Sequence, residues 1–410
     1  MTGGAFVCRA CGGQRVPLVI SLGKTPLANA LLNADQLEAR EATYPLDLVY
    51  CEDCTLVQIT ETVPPPQLFS EYAYFSSFSD TMLRHAEALA TRVIEERGLG
   101  KDALVIEVAS NDGYLLKVYK DAGVRVLGIE PAANVAKVAE ERGIPTRVEF
   151  FGEPCARALA ERGERADVIH ANNVLAHVPD LPGFARGLAT VLADDGVAII
   201  EVPYVKDLID HREFDTIYHE HLSYFSLTAL ERLFGSHGLT VLDVERLAIH
   251  GGSLRVTAGR AGARTPSSRV VELLDHEKRW GLTGLDYYLR FATAVADLRR
   301  TLLALLSELR AGGKRLAAYG AAAKGSTLLN CFGIGREYLD FVVDRSPHKQ
   351  GRYMPGVHLP IDAPSRLLRD RPDFVLLLTW NFADEILEQQ AEFRQRGGRF
   401  IIPVPEVRVA

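Results

Sequence analysis

The stretch Ala103-Leu-Val-Ile-Glu-Val-Ala-Ser-Asn-Asp-Gly-Tyr-Leu-Leu116 constrains this chain more than any other. It opens with a short apolar run rich in β-branched residues, which reads as a fully buried strand of a parallel sheet. The run ends at Glu107. A small, polar turn, Ala109 to Gly113, follows, and from Tyr114 the pattern is helical. Strand, tight turn and helix are the form in which an α/β fold presents backbone N–H groups to a nucleotide-like ligand. One strand later, Val124-Arg-Val-Leu-Gly-Ile-Glu-Pro131 ends in a second acid. A carboxylate there, Glu130, can accept hydrogen bonds from both hydroxyls of a ribose. The turn is a poor match to GxGxxG, because Ala109 and Asn111 stand where glycines are expected. The acids therefore carry the reading, and an ordinary βαβ unit without a ligand is the alternative.

The acid in the turn and Glu130 together resemble the first two motifs of S-adenosylmethionine-dependent methyltransferases. The chain around them keeps alternating, with expected strands near 104–108, 125–129, 146–150, 167–171 and 197–202 and two more near 239–245 and 253–258. The third ends at Glu149-Phe150-Phe151, where Phe150 can stack on adenine. After the fourth, Asn172 and Asn173 can face a ligand at the carboxyl edge of the sheet. Just upstream, the aromatic segment with Tyr72 and Tyr74 precedes an amphipathic helix, roughly 80–97, and can line the same pocket.

At 410 residues the chain is too long for one core, so several domains are expected. A net charge of −7 argues against a nucleic-acid partner held through phosphates. No segment carries the roughly 18 uncharged apolar residues of a membrane span. The first residues have neither a basic region nor a long apolar core, so no signal peptide and a cytoplasmic location are expected. In that compartment Cys8-x-x-Cys11 and Cys51-x-x-Cys54 mean metal rather than disulfides. Four thiolates satisfy Zn²⁺ with no open position, so the zinc should be structural. A redox dithiol is the other use of such pairs.

The loop after the fifth strand holds Tyr218-His219-Glu220-His221-Leu-Ser-Tyr224-Phe225. Two histidines, a carboxylate and two tyrosines within seven residues admit three readings. They can form a satisfied hydrogen-bond knot. They can contribute to an iron facial triad with a distant acid. Or they can do acid/base chemistry, a histidine taking a proton near neutral pH and Tyr218 donating to an oxyanion. An extended 219–221 would place His219 and His221 on one side and Glu220 on the other, so spacing does not choose the base. Further on, Arg255 after Gly251-Gly252 either contacts a phosphate or closes a hairpin. Residues 263–311 read as a helical connector.

Residues 312–410 form a second α/β unit. Its turn Ala321-Ala-Ala-Lys324-Gly-Ser326 opens a helix, so Lys324 and Ser326 favour an anion there, and Lys349 follows the next strand. An NAD-dependent oxidoreductase built on this unit, or a zinc-ribbon scaffold, are the rival classes.

As a whole the chain resembles the three-domain dTDP-sugar C-methyltransferases, the C-3′-methyltransferases of branched deoxysugar biosynthesis. The resemblance rests on the four cysteines, Glu107-Val-Ala-Ser-Asn-Asp-Gly113, Tyr218-His-Glu-His-Leu-Ser-Tyr-Phe225 and Gly320-Ala-Ala-Ala-Lys-Gly325. It implies a zinc-binding domain (1–70), a Rossmann-like S-adenosylmethionine methyltransferase domain (71–262), the connector (263–311) and a Rossmann-like C-terminal domain (312–410) that contributes to sugar-nucleotide binding. It implies a dTDP-linked 4-keto deoxysugar methylated at C3; a 3-amino sugar and a monomeric enzyme are separate expectations. His221 matches the family's general base and Tyr218 the stabiliser of the enolate. Tyr72, His177 and Glu220 match other residues near the reacting sugar.

Overall fold

The architecture is that of a computed structural model that describes residues 6–69, 77 and 80–410. Tyr72 and Tyr74 lie outside the described residues. Near the N-terminus, Leu18–Thr25 (β1), Tyr44–Tyr50 (β2) and Val57–Ile59 (β3) form an antiparallel meander. Cys51 directly follows β2 and Cys54 lies just ahead of β3, so the hairpin end carries one metal knuckle.

The middle sheet is built from Leu104–Val108 (β4), Arg125–Ile129 (β5), Thr146–Arg147 (β6), Ala166–Asn172 (β7) and Leu192–Pro203 (β8), all parallel. Every residue of β4 is buried, as befits a central strand covered on both faces. The third strand is shorter than the 146–150 expected from sequence. It sits at the sheet edge beside β5, which turns away at Glu130-Pro131. After Arg147, whose carbonyl accepts from Glu130 N–H at 3.0 Å, no neighbour remains to extend the ladder.

Ser223–Tyr224 (β9) then leaves this sheet and pairs antiparallel with β3, Val57 opposite Tyr224 and Gln58 opposite Ser223. The chain returns through Leu239–Leu247 (β10) and Ser253–Arg260 (β11), which complete the order β10-β11-β8-β7-β4-β5-β6. Strand order reverses between β4 and β7, the place where open α/β sheets bind ligands.

The connector is two helices that pack on different parts of the fold. Ser268–Trp280 delivers Glu277, fully buried, to the start of helix Leu227–Gly235. There its carboxylate accepts from Leu227 N (2.7 Å), Thr228 N (2.8 Å), Thr228 Oγ1 (2.6 Å) and Tyr204 Oη (2.9 Å). An acid at a helix N-terminus satisfies otherwise unpaired N–H groups. Leu285–Ala311 lies along the first sheet, with Tyr288 stacked on Tyr50 at 4.8 Å.

The last sheet contains Leu316–Tyr319 (β12), Val342–Val343 (β13), Ile361–Asp362 (β14), Phe374–Leu377 (β15), Arg399–Ile402 (β16) and Arg408–Val409 (β17). Its order is β14-β13-β12-β15-β16-β17, parallel except for the final strand, with the reversal between β12 and β15. Among the described residues no helix is long and apolar enough to cross a membrane.

Candidate active site

The turn after β4 adopts the backbone a glycine-rich loop would, with a glycine at only one of its three left-handed positions. Ala109 (φ 54°), Asn111 (φ 50°) and Gly113 (φ 77°) all lie in the left-handed region. Outside glycine such residues cost about 1–2 kcal/mol each, least for asparagine, so the turn is held by its surroundings. Glu130 does the holding. Its Oε2 accepts from Asn111 N–H and its Oε1 from Ala132 N–H, both at 2.9 Å. At Gly113 a Cβ would fall 2.9 Å from the Ile144 side chain, so the position is closed on steric grounds as well.

Three carboxylates surround this turn. Glu107 is fully buried, and burial followed by the charges of Glu130 and Asp112 pushes its carboxyl well above the ordinary value. Its Oε2 has no partner among the described residues. Burial also raises Glu130, against the two backbone N–H groups that lower it. Asp112 is ion-paired with Arg142 at 3.0 Å and accepts from Ser77 Oγ. Arg142 was not foreseen in the sequence; its signal, a single arginine capping the C-terminal end of the helix Ala133–Glu141, is weak. The donor set suits S-adenosylmethionine: a ribose acceptor, an orphaned acid for a cationic group and a backbone cradle. Phe150, the residue expected to stack on adenine, is 47% exposed, while Phe151 packs edge-on against Phe184 at 5.2 Å. Asn172 and Asn173 are half-buried at the end of β7. Asn172 Oδ1 is unpartnered among the described residues, and Asn173 N–H is committed to the Glu201 carbonyl at 2.8 Å.

His177 stands in a short turn, Leu175–His177, just beyond those asparagines. Its Nδ1 meets the Glu220 carbonyl at 2.6 Å, and its ring contacts the His221 ring edge-on at 4.9 Å. Burial holds the His177 imidazole below its ordinary pKa. The 218–221 segment is a tight turn, not an extended strand: the His221 N–H bonds the Tyr218 carbonyl at 2.9 Å. That turn brings the two side chains together, Tyr218 Oη lying 3.0 Å from His221 Nε2. His221 Nδ1 lies 3.0 Å from the Thr216 carbonyl. A carbonyl only accepts, so Nδ1 carries the proton and Nε2 is the basic nitrogen.

The other members of the loop turn towards the first sheet. His219 Nε2 bonds the Pro45 carbonyl (3.1 Å), and Glu220 Oε1 accepts from the Asn29 amide (2.6 Å). Tyr224 is buried in β9, which raises its phenol, and its ring lies 6.4 Å from that of His221. The two histidines do not converge on an acid as an iron triad requires. Among the described residues the only group of three or more metal-type ligands within reach of one another is Cys8, Cys11, Cys51 and Cys54. All four sulfurs lie within 4.8 Å of one another, with Cys8–Cys54 at 3.5 Å and Cys11–Cys51 at 3.6 Å. Tetrahedral Zn–S bonds of about 2.3 Å put sulfurs roughly 3.8 Å apart, so the cage fits a structural zinc ion.

A cleft of about 1470 Å³ runs between the middle and C-terminal sheets, lined by Arg84, Asp207, His211, Glu213, Arg246, Arg345, Trp380, Asn381, Phe382 and Arg408, among others. The four arginines share this lining with the acids Asp207, Glu213 and Glu385, Arg246 pairing with Asp207 at 2.7 Å and Arg345 with Glu385 at 3.7 Å, and none of these was picked out from the sequence. Their signal exists only once two distant segments are brought together. The residues that the sequence suggested for the phosphates have other partners. Arg255 is buried between Glu201 (2.7 Å), Glu245 (3.4 Å) and His85 (3.2 Å). Lys324 bonds Asn381 Oδ1 at 2.9 Å, Lys349 bonds the Ala321 carbonyl at 2.8 Å, and Ser326 is buried within its helix near Asn330. The His177–Tyr218–His221 group is not part of the cleft lining.

Three family models match in succession: "Putative zinc binding domain" over 8–69, "Methyltransferase domain" over 82–244 and "C-methyltransferase C-terminal domain" over 248–405. The chain is 39% identical to C-methyltransferase NovU of Streptomyces niveus over 403 residues, 98% of this chain and 96% of NovU. It is 30% identical over 122 residues to a ubiquinone biosynthesis O-methyltransferase of Methylobacterium nodulans, 29% of this chain and 46% of that protein. Of solved structures, the PH0226 protein of Pyrococcus horikoshii overlays 48% of this chain and 96% of its own at a TM-score of 0.38 and 15% identity.

Proposed function

Because the chain belongs to the C-methyltransferase family of NovU, we propose that it methylates C3 of a dTDP-linked 4-keto deoxysugar, with S-adenosylmethionine as donor. The observation that carries the reading is the Tyr218–His221 pair, a hydroxyl 3.0 Å from an imidazole nitrogen of assigned tautomer, beside the β4/β7 switch point.

Carbon is a poor nucleophile unless it is α to a carbonyl. A C4 ketone acidifies the C3 proton. His221 Nε2 takes that proton, and the electron pair moves into the C3–C4–O4 enolate. Tyr218, which in this structure caps Nε2, turns its hydroxyl to the enolate oxygen as the proton leaves. The neutral state that burial enforces on His177 leaves it able to orient the sugar without repelling a protonated His221. When bound, S-adenosylmethionine supplies the electrophilic methyl group that C3 takes up. Glu107, the turn 109–113, Glu130, Phe150 and Asn172 hold the donor. Held together, well-oriented partners gain up to about 7–11 kcal/mol of the barrier. The cleft takes the dTDP group, with its arginines near the diphosphate. In this division the zinc unit (1–70) supports the catalytic turn, 71–262 binds the donor, 263–311 connects, and 312–410 supplies the second wall of the cleft.

The test separates proton removal from methyl transfer. With S-adenosylhomocysteine in deuterated water, the wild type should exchange the sugar's C3 proton without methylating it. His221→Asn should lose exchange and methylation while binding both ligands. Near wild-type methylation by that variant would place the base elsewhere.

A further inference from the structure

We infer that Asp215 and Trp380 are positioning residues for the His221 base, so that the C-terminal unit sets the orientation of an imidazole in the middle unit; this rests on the reading of His221 given above. His221 Nε2 is basic only while Nδ1 keeps its proton, and the Thr216 carbonyl holds that proton. The carbonyl belongs to the three-residue turn Phe214–Thr216. A single turn has too few internal bonds to hold its own shape. Here they are Ile217 N to the Phe214 carbonyl (3.1 Å) and Thr216 N and Oγ1 to the Glu213 carbonyl (3.1 and 2.7 Å).

The rest of the support comes from the C-terminal unit. Phe214 is fully buried and stacks on Phe332, ring centres 4.5 Å apart and planes 13° from parallel. Asp215 is fully buried, and its Oδ2 accepts from Trp380 Nε1–H at 2.7 Å. Asp215 Oδ1 has no hydrogen-bond partner among the described residues, so the indole is the side-chain donor on which this carboxyl depends. A buried acid stripped of it relaxes by moving towards water, and the turn that carries the Thr216 carbonyl moves with it. The other side of the indole reaches the cleft. Trp380 and Asn381 line it, Lys324 Nζ lies 4.2 Å from the indole centre, and the same Nζ bonds Asn381. An occupant of the cleft that touches Trp380 or Asn381 is therefore mechanically linked to the base.

Trp380→Phe keeps an aromatic ring beside Lys324 and removes the N–H. The full chain labelled with ¹⁵N-histidine, the His221 signals assigned by their loss in His221→Asn, reports the tautomer directly. Wild type should show Nδ1–H with an unprotonated Nε2. In Trp380→Phe that signature should give way to a mixture, and kcat should fall about 10–100-fold, by analogy with the loss of groups that orient metal-bound imidazoles. The dissociation constant for S-adenosylhomocysteine should stay within about threefold. Asp215→Asn, which keeps an acceptor for the indole, should lose less than Asp215→Ala. Either an unchanged tautomer or an unchanged kcat in Trp380→Phe overturns the inference. An active His221→Asn enzyme would instead overturn the assignment of the base, so the two ideas fail separately.

Discussion

Replacing Glu130 by glutamine probes the donor site with the smallest change of shape. Both carboxylate oxygens already take one backbone N–H at 2.9 Å, Oε2 from Asn111 in the turn after β4 and Oε1 from Ala132 after β5. Each oxygen keeps a second lone pair, and the ribose hydroxyls would use those. Glutamine keeps one accepting oxygen, sets an NH₂ against a backbone N–H and removes the charge. Two charge-assisted bonds of about 1.5–3 kcal/mol become neutral bonds of about 0.5–1.5 kcal/mol. The loss is then about 1–1.5 kcal/mol per bond, or about 2–3 kcal/mol in all, which at 1.4 kcal/mol per decade is roughly 30–150-fold in affinity. Calorimetry at pH 8 with S-adenosylhomocysteine reads this directly, with dTDP binding as the control that should not move. An analogue lacking the 2′-hydroxyl should lose less between wild type and variant. Because burial raises the Glu130 carboxyl, the wild type itself becomes neutral as pH falls, and the gap between the two proteins should narrow on the acid side. An affinity within threefold of wild type at pH 8 would refute both the site and the reasoning.

Protein purified without chelator should carry one zinc per chain by elemental analysis, and a metal-free preparation would sink the four-cysteine site. Cys8→Ser should unfold the first sheet and, because β9 pairs with β3, loosen the catalytic turn, read as faster amide exchange at 222–224. Tyr218→Phe should bind both ligands and turn over roughly 10²–10³-fold more slowly, by analogy with lost oxyanion donors; turnover within threefold of wild type would remove Tyr218 from the chemistry. Burial raises the Glu213 carboxyl to about 8, opposed by Lys324 and reinforced by Asp215. The folded chain therefore binds this proton more tightly than the unfolded chain between the ordinary value of 4.5 and about 8. The associated stability is present at the acid end of that window and is lost as pH rises through it. Glu213→Gln should flatten thermal stability against pH from 5 to 8, and an unchanged slope would count against the assignment.

How much of this was open to sequence reading depends on the range of the interaction that decided it. β4 was legible because a strand buried on both faces reads as a nearly continuous apolar run, interrupted here by Glu107 alone, and Glu130 stood out because it directly follows the next strand. β9 was not. A two-residue strand carries no periodicity, and its partner Val57–Gln58 lies more than 160 residues away. Without β9 the loop looked extended, and His219 could not be told from His221; with it, the chain is pinned at 222–224 and must turn at 218–221, which sends His219 to Pro45 and His221 to Tyr218. The same logic explains Arg255. Next to Gly251-Gly252 it resembled a phosphate ligand, yet on β11 it stands directly opposite Glu201 of β8 and Glu245 of β10. Opposite charges facing each other across neighbouring strands pair, and 8% side-chain exposure makes that pairing the guanidinium's main support. What separates it from the chemistry is register. Polar groups that the ladder sets face to face are consumed by the fold, whereas Tyr218 and His221 meet on a half-exposed turn where the backbone, not a counter-charge, orients the imidazole. An imidazole oriented that way spends Nδ1 on a backbone carbonyl and Nε2 on the Tyr218 hydroxyl, a neutral partner that can turn aside as the proposed base requires, whereas an imidazole locked in an ion pair could not release its nitrogen so readily.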